Sequence, residues 1–174
     1  QILINGHPLC TSKTFTLKQK TEPVAQLEMQ RADLSFVKVY YPSEDRLAME
    51  ERRIQRQASM VSTAEAIVEE YLKGPANMVK SHIPAGTKLL GVYHGGDGLL
   101  YLNLSDEFRR NFQGDALTEF LVLKGLYESI ISNVEGINDV KLIIEGKESD
   151  SLGGHMNILY PLKNIVESRA ANGQ

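Results

Sequence analysis

The chain has 174 residues and a mass of 19.4 kDa, a length that suits one domain plus a terminal extension and is ample for a core without disulfide staples. With 42% hydrophobic and 24% charged residues, the composition is that of an ordinary soluble globular protein, which excludes the disordered, fibrous and membrane-embedded classes. A formal net charge of -3 offers no general basic footprint, so nucleic-acid binding is not expected.

Cys10 is the single cysteine, which excludes an intramolecular disulfide and a zinc site built on several thiolates. No run approaches the roughly 18 consecutive apolar residues of a membrane span, and no signal peptide is recognisable. The sequence opens Gln1-Ile2-Leu3-Ile4 without an initiator Met. An upstream segment is therefore expected, and any membrane anchor with it.

Residues 1–34 are polar and irregular. Phe15 and Leu17 suit a short strand, while Lys18-Gln19-Lys20-Thr21-Glu22-Pro23 reads as linker. From Ser35 the signals become dense. Phe36-Val37-Lys38-Val39-Tyr40-Tyr41 is β-branched and aromatic and is stopped by Pro42, which predicts a strand. Residues 43–59 are ambiguous: their charges suit an exposed helix, whereas Leu47, Met49 and Ile54 suit a short hairpin. Ala64, Ile67, Val68, Tyr71 and Leu72 recur on one helical face. Ser62 and Glu65 have capping-box spacing at its start and Gly74-Pro75 stops it.

Two apolar runs, Thr87 to His94 and Leu99 to Leu104, flank Gly95-Gly96-Asp97-Gly98 and predict an antiparallel hairpin. Ser105-Asp106-Glu107 reads as a cap and first turn before a short helical segment carrying Phe108 and Phe112. A longer helix is expected from about Asp115 to Val134, with Gly136 as its stop. Val140 to Glu145 is a strand ended by Gly146, and the remainder is loop with a last edge strand near Ile158 to Tyr160. The predicted fold is α+β: a mixed, largely antiparallel sheet with two main helices packed on one face.

The candidate chemistry is sparse. Gly95-Gly96-Asp97-Gly98 lacks the Lys-Ser/Thr of a phosphate loop and joins two strands, so it reads as a turn. Gly153-Gly154-His155 sets an imidazole beside two glycines that let a backbone approach closely, and it is the candidate ligand or partner loop. His7, His82, His94 and His155 show no metal-ligand spacing, and no cofactor or metal is expected. Cys10 reads as a free thiol in the arm, and no G-x-S-x-G elbow is present. Glu50-Glu51, Glu69-Glu70 and Arg52-Arg53-Ile54-Gln55-Arg56 read as solvated faces.

Taken together, Val39-Tyr40-Tyr41-Pro42, Leu72-x-Gly74-Pro75, Ile83-Pro84-x-Gly86-Thr87-x-Leu89, Leu102-Asn103-Leu104-Ser105 with Phe108, and Gly136-Ile137-x-x-Val140-x-Leu142-x-Ile144-x-Gly146 resemble the GerM family of sporulation, germination and other bacterial envelope proteins. Leu152-Gly153-Gly154-His155 with Pro161-Leu162 completes the likeness, which spans about Phe36 to Ile165, and Asn103 stands where the family often has Asp.

The resemblance implies a module similar to ring-building-motif domains, tethered outside the cytoplasmic membrane, in the periplasm or at the outer face, with no catalytic residues to carry over. It also implies a hairpin around Leu47 to Ile54. The expected organisation is an arm or linker over 1–34, a GerM-like domain over 35–166 and a disordered tail over 167–174. The expected function is a non-catalytic, membrane-anchored interaction or assembly module for envelope proteins or for itself. A cell-wall glycan or small-ligand domain centred on Gly153-Gly154-His155 is the alternative, and a hydrolase using His155 is the third reading.

Overall fold

A computed structural model describes residues 3–4, 7–8, 33–76 and 81–171. The chain divides into two compact units, Gln1–Ala32 and Asp33–Gln174. In the first, strand β1 (Leu3–Ile4) pairs antiparallel with β2 (His7–Pro8). The expected strand at Phe15 and Leu17, the linker after it and Cys10 lie outside the described residues.

The second unit opens with a long hairpin, β3 (Leu34–Ser43) against β4 (Arg46–Gln55), so the ambiguous stretch is a strand, as the family resemblance implied. Val37, Val39 and Tyr41 alternate into the core. On β4 only Ile54 is buried. A strand reading Glu50-Glu51-Arg52-Arg53 has little intrinsic β preference, and it is β3, with its β-branched residues, that templates it. Opposite charges face each other at Lys38 and Glu51, and the Arg53 guanidinium lies 5.5 Å from the Phe36 ring centre.

Helix α1 (Met60–Leu72) is capped one turn earlier than expected. Ser59 accepts from the Ser62 N–H and Ser62 accepts in return from the Ser59 N–H, so Ser62 answers the cap and does not supply it. Gly74, at φ +79, follows its end. The helix buries Ala64, Ile67, Val68 and Tyr71. The Tyr71 ring stacks on Tyr41 at 5.5 Å, and the two hydroxyls donate to the carbonyls of Val122 and Glu70. Burial pushes the Tyr41 hydroxyl up to about 12, so it remains a donor.

β5 (Leu89–His94) and β6 (Leu99–Leu104) form the expected antiparallel hairpin, and β7 (Asp139–Ile144) joins β6 in parallel. Asp97 (φ 59) and Gly98 (φ 74) make the turn. This three-stranded sheet is mixed, as expected, but the β3–β4 hairpin forms a separate two-stranded sheet instead of joining it. Leu100, Leu102 and Leu104 of β6 and Val140, Leu142 and Ile144 of β7 point into one core with α1 and the later helices. The short helix α2 (Glu107–Arg110) buries Phe108. Ser105 does not cap it: the Ser105 hydroxyl accepts from the Lys88 N–H at 3.0 Å.

Helix α3 (Ala116–Ile131), capped by Asp115 through the Thr118 N–H, joins the two sheets. The edge of β3 turned away from β4 lies along Gly125, Ser129 and Asn133. Ser129 Oγ accepts from the Tyr40 N–H at 2.9 Å; Asn133 accepts from the Lys38 N–H and donates to its carbonyl, at 2.9 and 2.7 Å. A Cβ on Gly125 would stand 2.5 Å from the Tyr40 carbonyl oxygen, so only glycine permits this approach. Side chains of a helix and of the turn that follows it thus take the place of a neighbouring strand and cover an edge that would otherwise be open to pairing.

No strand forms at Ile158–Tyr160. The buried Lys141 ammonium takes the Ile158 and Leu159 carbonyls, with Glu148 at 3.2 Å as its ion partner, so these groups are not free for a ladder. Helix α4 (Leu162–Ala171) follows, so the tail expected from residue 167 is helical to Ala171. It buries Leu162 and Val166 and donates the Lys163 N–H to Asp139. No described helix is long and apolar enough to cross a membrane.

Substituting Gly125→Ala is expected to lower stability by ~1–3 kcal/mol through overpacking against β3. Chemical denaturation should show a lower midpoint with an unchanged slope.

Candidate functional site

The candidate loop is built around an acid that the sequence did not single out. Glu119 stands in the first turn of α3, where a carboxylate suits the helix dipole, yet it is fully buried. A buried carboxylate is tolerable only when its lone pairs are satisfied. Here Oε1 accepts from the Leu152 N–H at 3.0 Å, and Oε2 accepts from the His155 N–H and the His155 ring Nδ1, each at 2.9 Å.

The glycines make this embrace possible. A Cβ on Gly153 would lie 2.4 Å from the Phe112 ring and 3.1 Å from Glu119 Oε2, and Gly154 has φ +93. One glycine lets the backbone press on the ring and the acid, and the other supplies the reversed conformation that brings His155 back to the same acid. Gly153-Gly154-His155 is therefore a latch across α3, and its imidazole is an orienting partner of Glu119.

Burial pushes the Glu119 carboxyl up, but the N–H groups of Gly153 and His155, the His155 ring and the Met156 N–H outweigh it and hold the carboxyl below its ordinary 4.5. An ionised carboxylate only accepts, so Nδ1 carries the proton toward Glu119 and Nε2 is the ring nitrogen left for other partners. An oriented acid–imidazole pair is two thirds of a nucleophilic triad. Among the described residues, however, no serine hydroxyl hydrogen-bonds the ring.

The other candidates are dispersed. His82 lines a cavity of about 350 Å³ with Arg110 and Asn111, and His94 ends β5. Among the described residues no three His, Cys, Asp or Glu side chains are placed to hold a metal ion. The basic run divides between two faces of the hairpin. Arg52 turns inward over Tyr41, donating to Glu50 and to the Gly74 carbonyl at 2.7 and 2.8 Å, while Arg53 lies outward on Phe36. Glu50 is drawn into that inner cluster and accepts from the Ala76 N–H, whereas Glu51 stays outside, so the pair does not act as one site. Asn103 accepts from the Gly146 N–H at 2.8 Å and fixes the turn after β7, which gives this position a structural role.

Replacing Glu119→Gln should cost ~1–3 kcal/mol at neutral pH, because the charged acceptor of buried donors is lost. Its folded-state value is depressed, so its stabilisation is complete above the ordinary 4.5 and is lost as pH falls through the folded value. The gap in denaturation midpoint between wild type and Glu119→Gln should accordingly narrow below 4.5.

The family model for "Germane: Sporulation and spore germination" matches residues 38–150, ending just before the Leu152–His155 latch. A Clostridium perfringens protein described as a "Putative Lipoprotein" has a similar structure: TM-score 0.54 and 22% identity, covering 75% of this chain and 87% of that one. The tandem GerMN domains of the sporulation protein GerM from Bacillus subtilis give 0.54 and 18%, covering 73% of this chain and 45% of that one. The first of those domains alone gives 0.50 and 18%, covering 72% and 94%. No curated protein matches in sequence. With most of its folded unit matched in sequence and its α+β architecture shared with GerMN domains, the chain belongs to the GerM-type sporulation and spore germination family.

Proposed function

We propose that the chain is a non-catalytic, extracytoplasmic interaction module of the bacterial cell envelope, held at the cytoplasmic membrane, which assembles with envelope proteins or with copies of itself. The observation that carries this reading is the use made of the Glu119–His155 pair. Its carboxylate holds a loop with both oxygens, so an arrangement that elsewhere activates a nucleophile here serves architecture. The location draws support from the lipoprotein description of the Clostridium perfringens relative, and the sporulation or germination setting from the family.

The surface best suited to protein contacts is the outer face of the β3–β4 hairpin. Phe36 is 62% and Met49 52% exposed there, with Tyr40 directly opposite Met49. The inner face is occupied by the core, so a partner would meet a two-stranded ribbon with an apolar stripe between Lys38, Glu51 and Arg53.

A photo-crosslinker at Met49 in the intact envelope should yield a specific adduct, with an envelope protein or a second copy, that Phe36→Glu removes. The same substitution should move stability by no more than about 0.5 kcal/mol, as expected at an exposed site. A strict monomer in sedimentation at high concentration, together with no adduct at Met49, would contradict the proposal.

A further inference from the structure

Beside the latch lies a groove of about 320 Å³ whose walls include His155, Met156, Asn157, Tyr160, Asn164 and Ile165. Its volume lies at the lower end of the ~300–1,000 Å³ of small-ligand sites. Met156 and Ile165 pack on the core and give it an apolar base, and Tyr160 stands 61% exposed at its side. The polar groups there are neutral amides, the Tyr160 and Ser168 hydroxyls and an imidazole, and no Lys, Arg, Asp or Glu lines the groove. An anion would find no countercharge and a cation no carboxylate, so the chemistry selects an uncharged ligand.

We propose that this groove binds a neutral saccharide, with a pyranose ring packed on Tyr160 and its hydroxyl or acetamido groups bonded to Asn164, Asn157 and His155. A sugar ring has one face of C–H groups, which packs on an aromatic plane, and a rim of hydroxyls that seek planar amides. The geometry supplies both. Asn157 uses its side-chain oxygen to accept from the Leu159 N–H, which orients the amide and leaves its NH₂ for a ligand. Glu119 holds Nδ1 of His155, which leaves Nε2 as the ring nitrogen available to a hydroxyl or acetamido group. The buried acid thereby acts as a positioning residue for a binding imidazole, and the latch pre-orders the groove.

The site is separate from the hairpin face, so its failure leaves the assembly reading standing, and failure of that reading leaves this one. The test is an amide-resolved NMR titration of the purified chain with tri-N-acetylchitotriose and, in parallel, with trialanine as a neutral peptide. The saccharide is expected to shift the Gly154, His155, Asn157, Tyr160 and Asn164 amides, and Tyr160→Ala and Asn164→Ala should each weaken it by about tenfold while leaving the rest of the spectrum in place. No shift at millimolar saccharide, shifts with trialanine alone, or unchanged binding by both variants would overturn the proposal.

Discussion

A charge buried inside a protein has to be surrounded by donors, and the Glu119 carboxylate imposes that requirement on everything around it. It is inaccessible to solvent on the first turn of α3, and the chain from Leu152 to His155 supplies its partners. At the other end of the same helix, Ser129 and Asn133 occupy the open edge of β3. The helix is thus fixed by polar bonds at both ends and by Leu123, Leu126 and Ile130 between them. Two sheets that share no ladder are combined into one unit because α3 and α1 each pack against both.

This arrangement bears on function. A carboxylate oriented toward an imidazole is familiar as catalytic machinery, but the geometry that matters here is the pair of backbone N–H groups bonded to the same acid. They make the pair a fastening for the loop that leads toward α4. The proposed interaction role rests on this fastened loop together with the hairpin and its exposed apolar stripe.

Much of this fold was legible because its elements carry their own patterns. The alternation in Val37, Val39 and Tyr41, the helical stripe of Ala64, Ile67, Val68 and Tyr71, and the glycine-rich turn before Leu99 each state their geometry locally. β4 did not, because Glu50-Glu51-Arg52-Arg53 has no apolar period and becomes a strand only through pairing with β3. The missing strand at Ile158–Tyr160 was hidden for the opposite reason: its apolar residues look like an edge, but Lys141 takes their carbonyls. Gly153-Gly154-His155 advertised a close backbone approach, and that was correct in physics. Its partner was invisible, since Glu119 lies 36 residues from His155 and reads in sequence as one more acid in a helical first turn.

Fastening by Glu119 should make the Leu152–His155 loop as hard to open as the core. Native-state hydrogen exchange tests it most directly, because the Leu152 and His155 amides are the donors in question. Both should exchange as slowly as the core amides of β6 in the wild type, and Glu119→Gln should accelerate them ahead of the β6 amides. Rapid exchange at Leu152 and His155 in the wild-type chain would contradict it.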